Sequence, residues 1–511
     1  MAEQHFDVLI VGAGLSGVGA AWRLQHDVPH KSFAILEARD AIGGTWDLFR
    51  YPGVRSDSDM YTLGYAFKPW IRPKAIADGP SIRDYVRETA RENGIDQRIL
   101  FQHRAKHAAW SSETARWTVD VEVGPERRPA QLSANFLIMG AGYYRYDRGY
   151  LPDFPGFDRY EGIKVHPQFW PEDLDYTGKK VVVIGSGATA VTLVPAMAQA
   201  AGHVTMLQRS PTYVVSMPAI DPFAAWVHKR LPAKLAYELV RFKKIVLNIV
   251  MFHRTRKYPE QAKKFLLDMV RKELPNYDVE THFTPRYNPW DQRLCLVPDS
   301  DLFQAIRSGK ADVVTGEIET FTSDGIKLKS GEVVPADIVV TATGLELQFI
   351  GGVEIEVDGE PVKMSERMYY KGMMFSGVPN LVSLFGYTNA SFTLKVDLTC
   401  EYVTRMLKYM DRKGYQIATP KPDPTVKPAP WIDLKSGYVE RSRHLLPQQG
   451  DRKPWRLYQN YALDLLTLRF GRLNDGVLAF SKAGALAKPL HGAPSTPPVA
   501  MPVETRVPEP A

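Results

Sequence analysis

Val8-Leu9-Ile10-Val11-Gly12-Ala13-Gly14-Leu15-Ser16-Gly17 is the stretch whose reading decides the fold. Four apolar residues predict a buried strand, and the glycines after them predict a tight turn into a helix. Gly12, Gly14 and Gly17 let the backbone approach a pyrophosphate, while the helix N-terminus offers free N–H groups and the positive end of its dipole. A second copy of the pattern begins 173 residues later: Val181-Val182-Val183-Ile184 followed by Gly185-Ser186-Gly187-Ala188-Thr189-Ala190. One such fingerprint is weak on its own. Two, each in strand–turn–helix context, imply two dinucleotides in one chain and electron transfer between them.

The residue that ends the next strand separates the two ligands. Phe33-Ala34-Ile35-Leu36 predicts the second strand of the first unit, and Glu37 closes it 20 residues after Gly17. A carboxylate there accepts hydrogen bonds from ribose hydroxyls and repels a 2′-phosphate, which suits FAD or NAD. In the second unit, Val204-Thr205-Met206-Leu207 runs into Gln208-Arg209-Ser210. A guanidinium beside a hydroxyl suits a 2′-phosphate, so this site is read as the NADPH site. The plainer alternative for Arg209 is a solvated cation at a strand end.

These units predict an α/β fold with two Rossmann-like dinucleotide-binding domains, of the glutathione-reductase-like flavoprotein kind. The expected order is nested. Residues 1–145 begin the FAD domain, 146–336 form the NADPH domain with a helical insertion at 219–285, and 337–483 return to the FAD domain. The Pro- and Ala-rich stretch 484–511 is expected to be a disordered tail.

Composition bounds the remaining classes. At 511 residues and 44% hydrophobic content the chain can build two or three packed domains. No run is long and apolar enough to span a membrane, and the N-terminus leads straight into the first strand, which predicts a cytoplasmic protein. The only two cysteines, Cys295 and Cys400, form no CxxC pair, so thiol-reductase chemistry is excluded and both are read as small core residues. A net charge of +7 is modest, and the scattered Lys and Arg form no nucleic-acid stripe. The exception is the helical-looking segment from Phe223 to Glu273, which mixes Trp226, Phe242, Phe252 and Phe265 with Lys229, Arg230, Lys243, Lys244, Arg254 and Lys263. Three readings stay open for it: peripheral contact with an anionic membrane, contact with another subunit of a homo-oligomer, and a helical cap whose apolar face lies on the core.

Tyr160-Glu161-Gly162-Ile163-Lys164-Val165-His166-Pro167-Gln168-Phe169-Trp170-Pro171 lies between the fingerprints. It resembles the FxGxxxHxxxW(P/D) sequence of type I Baeyer–Villiger monooxygenases, with Tyr160 in place of Phe. The new hydroxyl needs a partner if it is buried. Flavin monooxygenases that oxygenate nitrogen and sulfur carry Tyr or Phe where Trp170 stands. The stretches Gly43–Gly53 and Asn288–Pro298 resemble a narrower group, the ethionamide-activating monooxygenases of mycobacteria and their relatives.

The resemblance implies that NADPH reduces FAD, and that the reduced flavin captures dioxygen as a C4a-peroxide attacking a ketone, a thioamide or a sulfide. It implies that Arg293 stabilises the anionic peroxide and its adduct, and that Asp57 orients Arg293. A structural ion pair is the alternative for these two charges. It adds Ser16, Thr45, Trp46 and the backbone near Ala105 to the FAD contacts. His166, with no second ligand beside it, is no metal candidate. It is read either as a coupling residue at the interdomain linker or as a structural hydrogen-bonding group. An S- or N-oxygenating enzyme without ketone activity is the rival function. One departure matters: many members of the family have Lys before the essential Arg, and here the residue is Gln292. Arg209 and Ser210 then carry most of the discrimination against NADH. Arg209→Ala is therefore expected to raise KM for NADPH much more than for NADH in steady-state assays; an equal loss for both would overturn the 2′-phosphate assignment.

Overall fold

The computed structural model describes residues 4–292, 294–432 and 436–484. The expected tail lies outside them, apart from Gly484. Two sheets organise the chain. The first has nine strands and a parallel core, in which Gln4–Val11 is flanked by Phe33–Glu37 on one side and Arg128–Met139 on the other. Ile99–Phe101 extends it beyond Phe33–Glu37, and Leu381–Ser383 pairs parallel with the end of Arg128–Met139. The strands His103–Ser111, Arg116–Val123 and Arg128–Met139 form an antiparallel meander on the other flank.

The second sheet is wholly parallel, in the order Ala311–Thr315, His203–Gln208, Lys180–Ile184, Ile338–Thr341, Ile163–Val165. Both fingerprint strands thus sit at a point where strand order reverses. The crevice outside the carboxyl ends of the strands at such a point is where open α/β sheets hold their ligands.

The apolar runs work because both faces of each parallel strand are covered. Val8 and Ile10 pack with the first fingerprint helix, Leu15–Asp27, while Leu9 and Val11 pack with the meander residues Trp117 and Val119. In the second sheet Val181 and Val183 face one core, and Val182 and Ile184 face another with Phe321. Cys295 and Cys400 are both buried and neither forms a disulfide, as their isolation in sequence predicts. The chain crosses between sheets twice, and the crossings, Tyr144–Gly149 and Leu345–Leu347, pair antiparallel.

The segment from 222 to 283 is helical, with Ala233–Lys257 its longest element. This helix docks on the first domain although its sequence interrupts the second. Tyr237 Oη donates to Tyr65 O at 3.0 Å, and Arg241 Nη1 donates to Tyr61 O and Gly64 O at 2.8 Å each. Arg241 thereby caps the carbonyl end of the short helix Met60–Leu63, where a cation is favoured, and its other Nη reaches Asp397 at 3.3 Å. Both partners are largely buried, so removing one leaves the other uncompensated. Arg241→Ala is expected to destabilise the protein by about 3–5 kcal/mol and to lower the midpoint of thermal unfolding, while Arg241→Lys recovers part of that loss; an unchanged midpoint would show that the ion pair does not hold the helix.

Candidate active site

The first cradle forms where Gln4–Val11 turns into the helix Leu15–Asp27. A Cβ on Gly17 would fall 1.9 Å from Gly12 O, so only glycine lets the helix close onto the strand. Gly14 faces Gly44, whose added Cβ would come within 3.0 Å of Gly14 Cα, leaving a slot bounded by bare backbone. Glu37 stands beside it. Its carboxylate accepts from Ala13 N at 2.7 Å and Arg39 N at 2.9 Å. Burial pushes this carboxyl above the usual range, and the two N–H groups and the Arg39 guanidinium pull it partly back.

Thr45 and Trp46 belong to a single helical turn, Thr45–Leu48, held by a buried charge cluster. Asp47 is 1% exposed and meets Arg39 at 2.7 Å, Arg50 at 3.0 Å and Arg87 at 2.6 Å. Arg39 Nη1 is buried without a hydrogen-bond partner, a donor left over on the cavity wall.

The second cradle is built alike. Gly185 has φ +135°, and a Cβ there would meet Ala342 O at 2.4 Å; Gly187 has nothing within 4 Å of its added Cβ. The helix Ala188–Met197 starts at that open position and buries Ala190. Ser186 Oγ lies 3.0 Å from Ser210 O and 2.9 Å from Thr212 Oγ1, tying the turn to the end of His203–Gln208. Arg209 and Ser210 are exposed there, on the solvent side of the cradle.

The first cradle and the start of the second fingerprint helix line one cavity of about 1060 Å³, at the upper limit of the roughly 300–1,000 Å³ that one small ligand occupies. Gly12, Gly14, Ser16, Glu37, Thr45, Trp46 and Ala105 line it from the first domain, and Ala188, Thr189 and Thr192 from the second. Gly185, Ser186, Gly187, Arg209 and Ser210 lie beyond that lining, toward the surface.

The loop from 49 to 59 bridges the two. A Cβ on Gly53 would meet Ala196 Cβ at 2.7 Å and Thr192 O at 2.9 Å, so this loop lies directly on the second fingerprint helix. Arg55 pairs with Asp301, which begins the helix Asp301–Arg307 of the second domain. Burial pushes the Tyr51 hydroxyl up to about 12, so it stays protonated. Asp57 reaches the cavity on this loop, with Ser58 Oγ donating to its Oδ1 at 3.5 Å. Arg293 lies outside the described residues.

Several cavity residues come from segments that no motif marks. Ile245, Asn248, Ile249 and Phe252 project from the long helix, and Tyr387, Asn389, Phe392 and Tyr461 close the far side. The Asn389 amide donates to Gln459 O at 2.9 Å and keeps its own Oδ1 buried without a hydrogen-bond partner. Phe392 and Trp290 both line the cavity as apolar wall. Trp290 adopts φ +72°, unusual for an aromatic residue, and its ring stands edge-on to Phe252 at 5.3 Å. Asp291 pairs with Arg256 at 2.9 Å. The loop preceding position 293 is thus clamped to the long helix.

The segment 160–171 does not line the cavity; it joins the second sheet to the interdomain crossing. The Tyr160 hydroxyl finds its partner in Ala336 O at 3.1 Å. Gln168 Nε2 donates to Arg145 O at 2.8 Å and Tyr146 O at 3.0 Å. The His166 ring lies against the Gly149 backbone, so close that a Cβ on Gly149 would fall 1.9 Å from it. His166 Nδ1 accepts from Gln168 N at 3.2 Å, and burial lowers the ring's pKa, favouring the neutral imidazole.

Two glycine cradles, one with a carboxylate and one with an exposed guanidinium, fit a flavin dinucleotide and a nicotinamide dinucleotide at a shared cavity. The class defined is a flavoprotein oxidoreductase of the two-dinucleotide kind. Residues 10–72 match the NAD(P)-binding Rossmann-like domain and residues 75–408 match the flavin-binding monooxygenase-like family. The chain belongs to the flavin-binding monooxygenase-like family, and it is a flavin-dependent monooxygenase whose cofactors are FAD and NADP(H).

It is 53% identical to the FAD-containing monooxygenase EthA of Mycolicibacterium smegmatis, over 94% of this chain and 98% of that one. It is 52% identical to EthA of Mycobacterium tuberculosis, over 94% and 99%. Among solved structures, an oxidized steroid monooxygenase bound to NADP matches with a TM-score of 0.75 at 23% identity, over 94% of this chain and 100% of that one, a likeness of fold. The resemblance read from 43–53, 160–171 and 288–298 therefore holds at the level of the family.

Gly149→Ala is expected to displace the His166 ring and cost about 1–3 kcal/mol of stability through overpacking. Adding His166→Ala should restore the room, and with it the melting temperature; a single variant as stable as the wild type would deny the tight packing.

Proposed function

We propose that this protein is a Baeyer–Villiger monooxygenase that inserts one oxygen atom of O2 into ketones to give esters or lactones, and oxygenates sulfur in thioamides and sulfides at the same site. The observation that carries this reading is the shared cavity, where a flavin cradle, a nicotinamide cradle and an apolar wall meet around Asp57. When bound, FAD takes two electrons from NADPH and activates dioxygen. One oxygen atom goes to the product, and the other leaves as water with two protons.

The chain's own residues have four tasks. Glu37 holds the flavin adenosine through its ribose, and Thr45 and Trp46, fixed by the Asp47 cluster, border the flavin. Arg209 and Ser210 take the 2′-phosphate of NADPH at the exposed end of the second cradle. Arg293 supplies a fixed positive charge that stabilises negative charge developing on oxygen, and Asp57 orients that guanidinium by a charge-assisted hydrogen bond. The apolar wall of Ile245, Phe252, Trp290 and Phe392 keeps water from the reacting centre, where each charge acts more strongly for being dry.

Ketone insertion needs the anionic oxygen nucleophile, whereas sulfur oxidation uses the protonated, electrophilic form and does not depend on that anion. Arg293→Ala is therefore expected to abolish ester formation from ketones while retaining a substantial fraction of sulfide oxygenation. Product mass under labelled dioxygen, measured for both substrates, checks this. Unimpaired ketone oxidation in the variant would reject the assigned role. A wild type that oxygenates sulfides and never ketones would leave an S-oxygenating enzyme in its place.

A further inference from the structure

Two neighbouring strands end together at the exposed side of the second cradle. His203–Gln208 and Ala311–Thr315 run parallel with Gln208 opposite Thr315, and Gly316 N donates to Gln208 O at 2.9 Å. Arg209 and Ser210 therefore leave the first strand beside Gly316 and Glu317 leaving the second. Strands in a sheet lie about 4.8 Å apart, within the sweep of a long charged side chain. Glu317 thus brings a carboxylate to the place where Arg209 meets the coenzyme. A phosphate monoester carries about −1.5 to −2 charges at neutral pH, so an acid in that position opposes it.

Glu317 has a partner of opposite charge. Lys329 N donates to Glu317 O at 2.9 Å, and Lys329 Nζ donates to Glu317 Oε2 at 2.6 Å. Lys329 opens the turn between the strands Gly325–Leu328 and Val333–Pro335, so the main chain fixes its root while its side chain can swing. Lys329 foremost, and Arg209 more weakly, hold the Glu317 carboxyl below its usual range, so the three charges share one electrostatic neighbourhood. All three residues are exposed. An exposed ion pair adds little to folding, which leaves the placement of this one at the coenzyme site to be accounted for.

The position before Arg293 supplies no cation to this site, since it is Gln292. We propose that Lys329 is the second cation of the 2′-phosphate site, its ammonium passing from the Glu317 carboxylate to the phosphate when NADPH binds, and that Glu317 limits the preference for NADPH over NADH. The exchange replaces one ion pair by another with a more highly charged acceptor, and it moves no proton and breaks no covalent bond. This inference rests on the reading of Arg209 and Ser210 as the 2′-phosphate site. It also gives the two members of one ion pair opposite effects. Lys329→Gln and Glu317→Gln both break the pair, so a purely structural pair would shift coenzyme binding the same way in both variants or in neither. At a phosphate site the first removes an attraction, whereas the second removes a repulsion and releases Lys329.

Calorimetric titration of the FAD-loaded full chain with NADP+ and with NAD+ reads these effects without turnover. Lys329→Gln is expected to weaken NADP+ binding about three- to fivefold, and Glu317→Gln to tighten it by a similar factor. The affinity for NAD+, the bound FAD and the melting temperature should stay as in the wild type. Unchanged NADP+ affinity in Lys329→Gln, an equal loss of NAD+ affinity, or weaker NADP+ binding in Glu317→Gln would each overturn the inference. Arg209→Ala distinguishes the ways of failing. If it weakens NADP+ selectively while Lys329→Gln does not, the cradle keeps its 2′-phosphate reading and only the second cation is rejected. If it weakens both coenzymes alike, that reading fails and the inference falls with it.

Discussion

Everything at the cavity depends on one contact: the loop from 49 to 59 lying on the second fingerprint helix. Gly53 allows that loop to touch the backbone of Ala188–Met197, and Arg55 pins it to Asp301. The loop belongs to the first domain, so this contact sets how the two helix N-termini face each other. The same loop carries Asp57, so the contact also decides where that carboxylate stands.

A second constraint is the helical segment, which crosses domain lines. It is inserted in the sequence of the second domain, yet Arg241 satisfies the carbonyls of Tyr61 and Gly64 and pairs with Asp397 in the first. The arrangement closes one side of the cavity with a helix whose inner face is fixed by a buried charge. Its outer face remains apolar and flanked by cations. Of the readings open in the sequence, the helical cap accounts for the inner face only.

The segment 160–171 shows how a motif can be recognised without its task being legible. Its residue types identify the family, but its side chains reach the crossing strands rather than the cavity. Tyr160 binds Ala336 O, Gln168 binds two carbonyls of Tyr144–Gly149, and His166 lies on Gly149. This is a clasp on the joint between the two sheets, and a joint is a property of pairs of segments, which no single stretch spells out. Burial likewise keeps His166 neutral, an outcome that depends on what surrounds the ring and not on its neighbours in the chain.

Local sequence determined the two strand–turn–helix units, the pairing of Glu37 with one and Arg209 with the other, and the core role of both cysteines. Those features follow from contacts within about thirty residues, as in any compact βαβ unit. Tertiary structure decided the rest. Asp47 takes the Arg87 guanidinium from 40 residues away, and Asn389, Phe392 and Tyr461 line one cavity with Ile245 and Phe252 across more than a hundred residues of chain. Such sites are made by the packing of one sheet's layers against another's, where no residue's partner is fixed by its sequence neighbours. The sequence therefore told which dinucleotides the chain holds, and only the packed structure told that the first fingerprint and the helix of the second line one cavity.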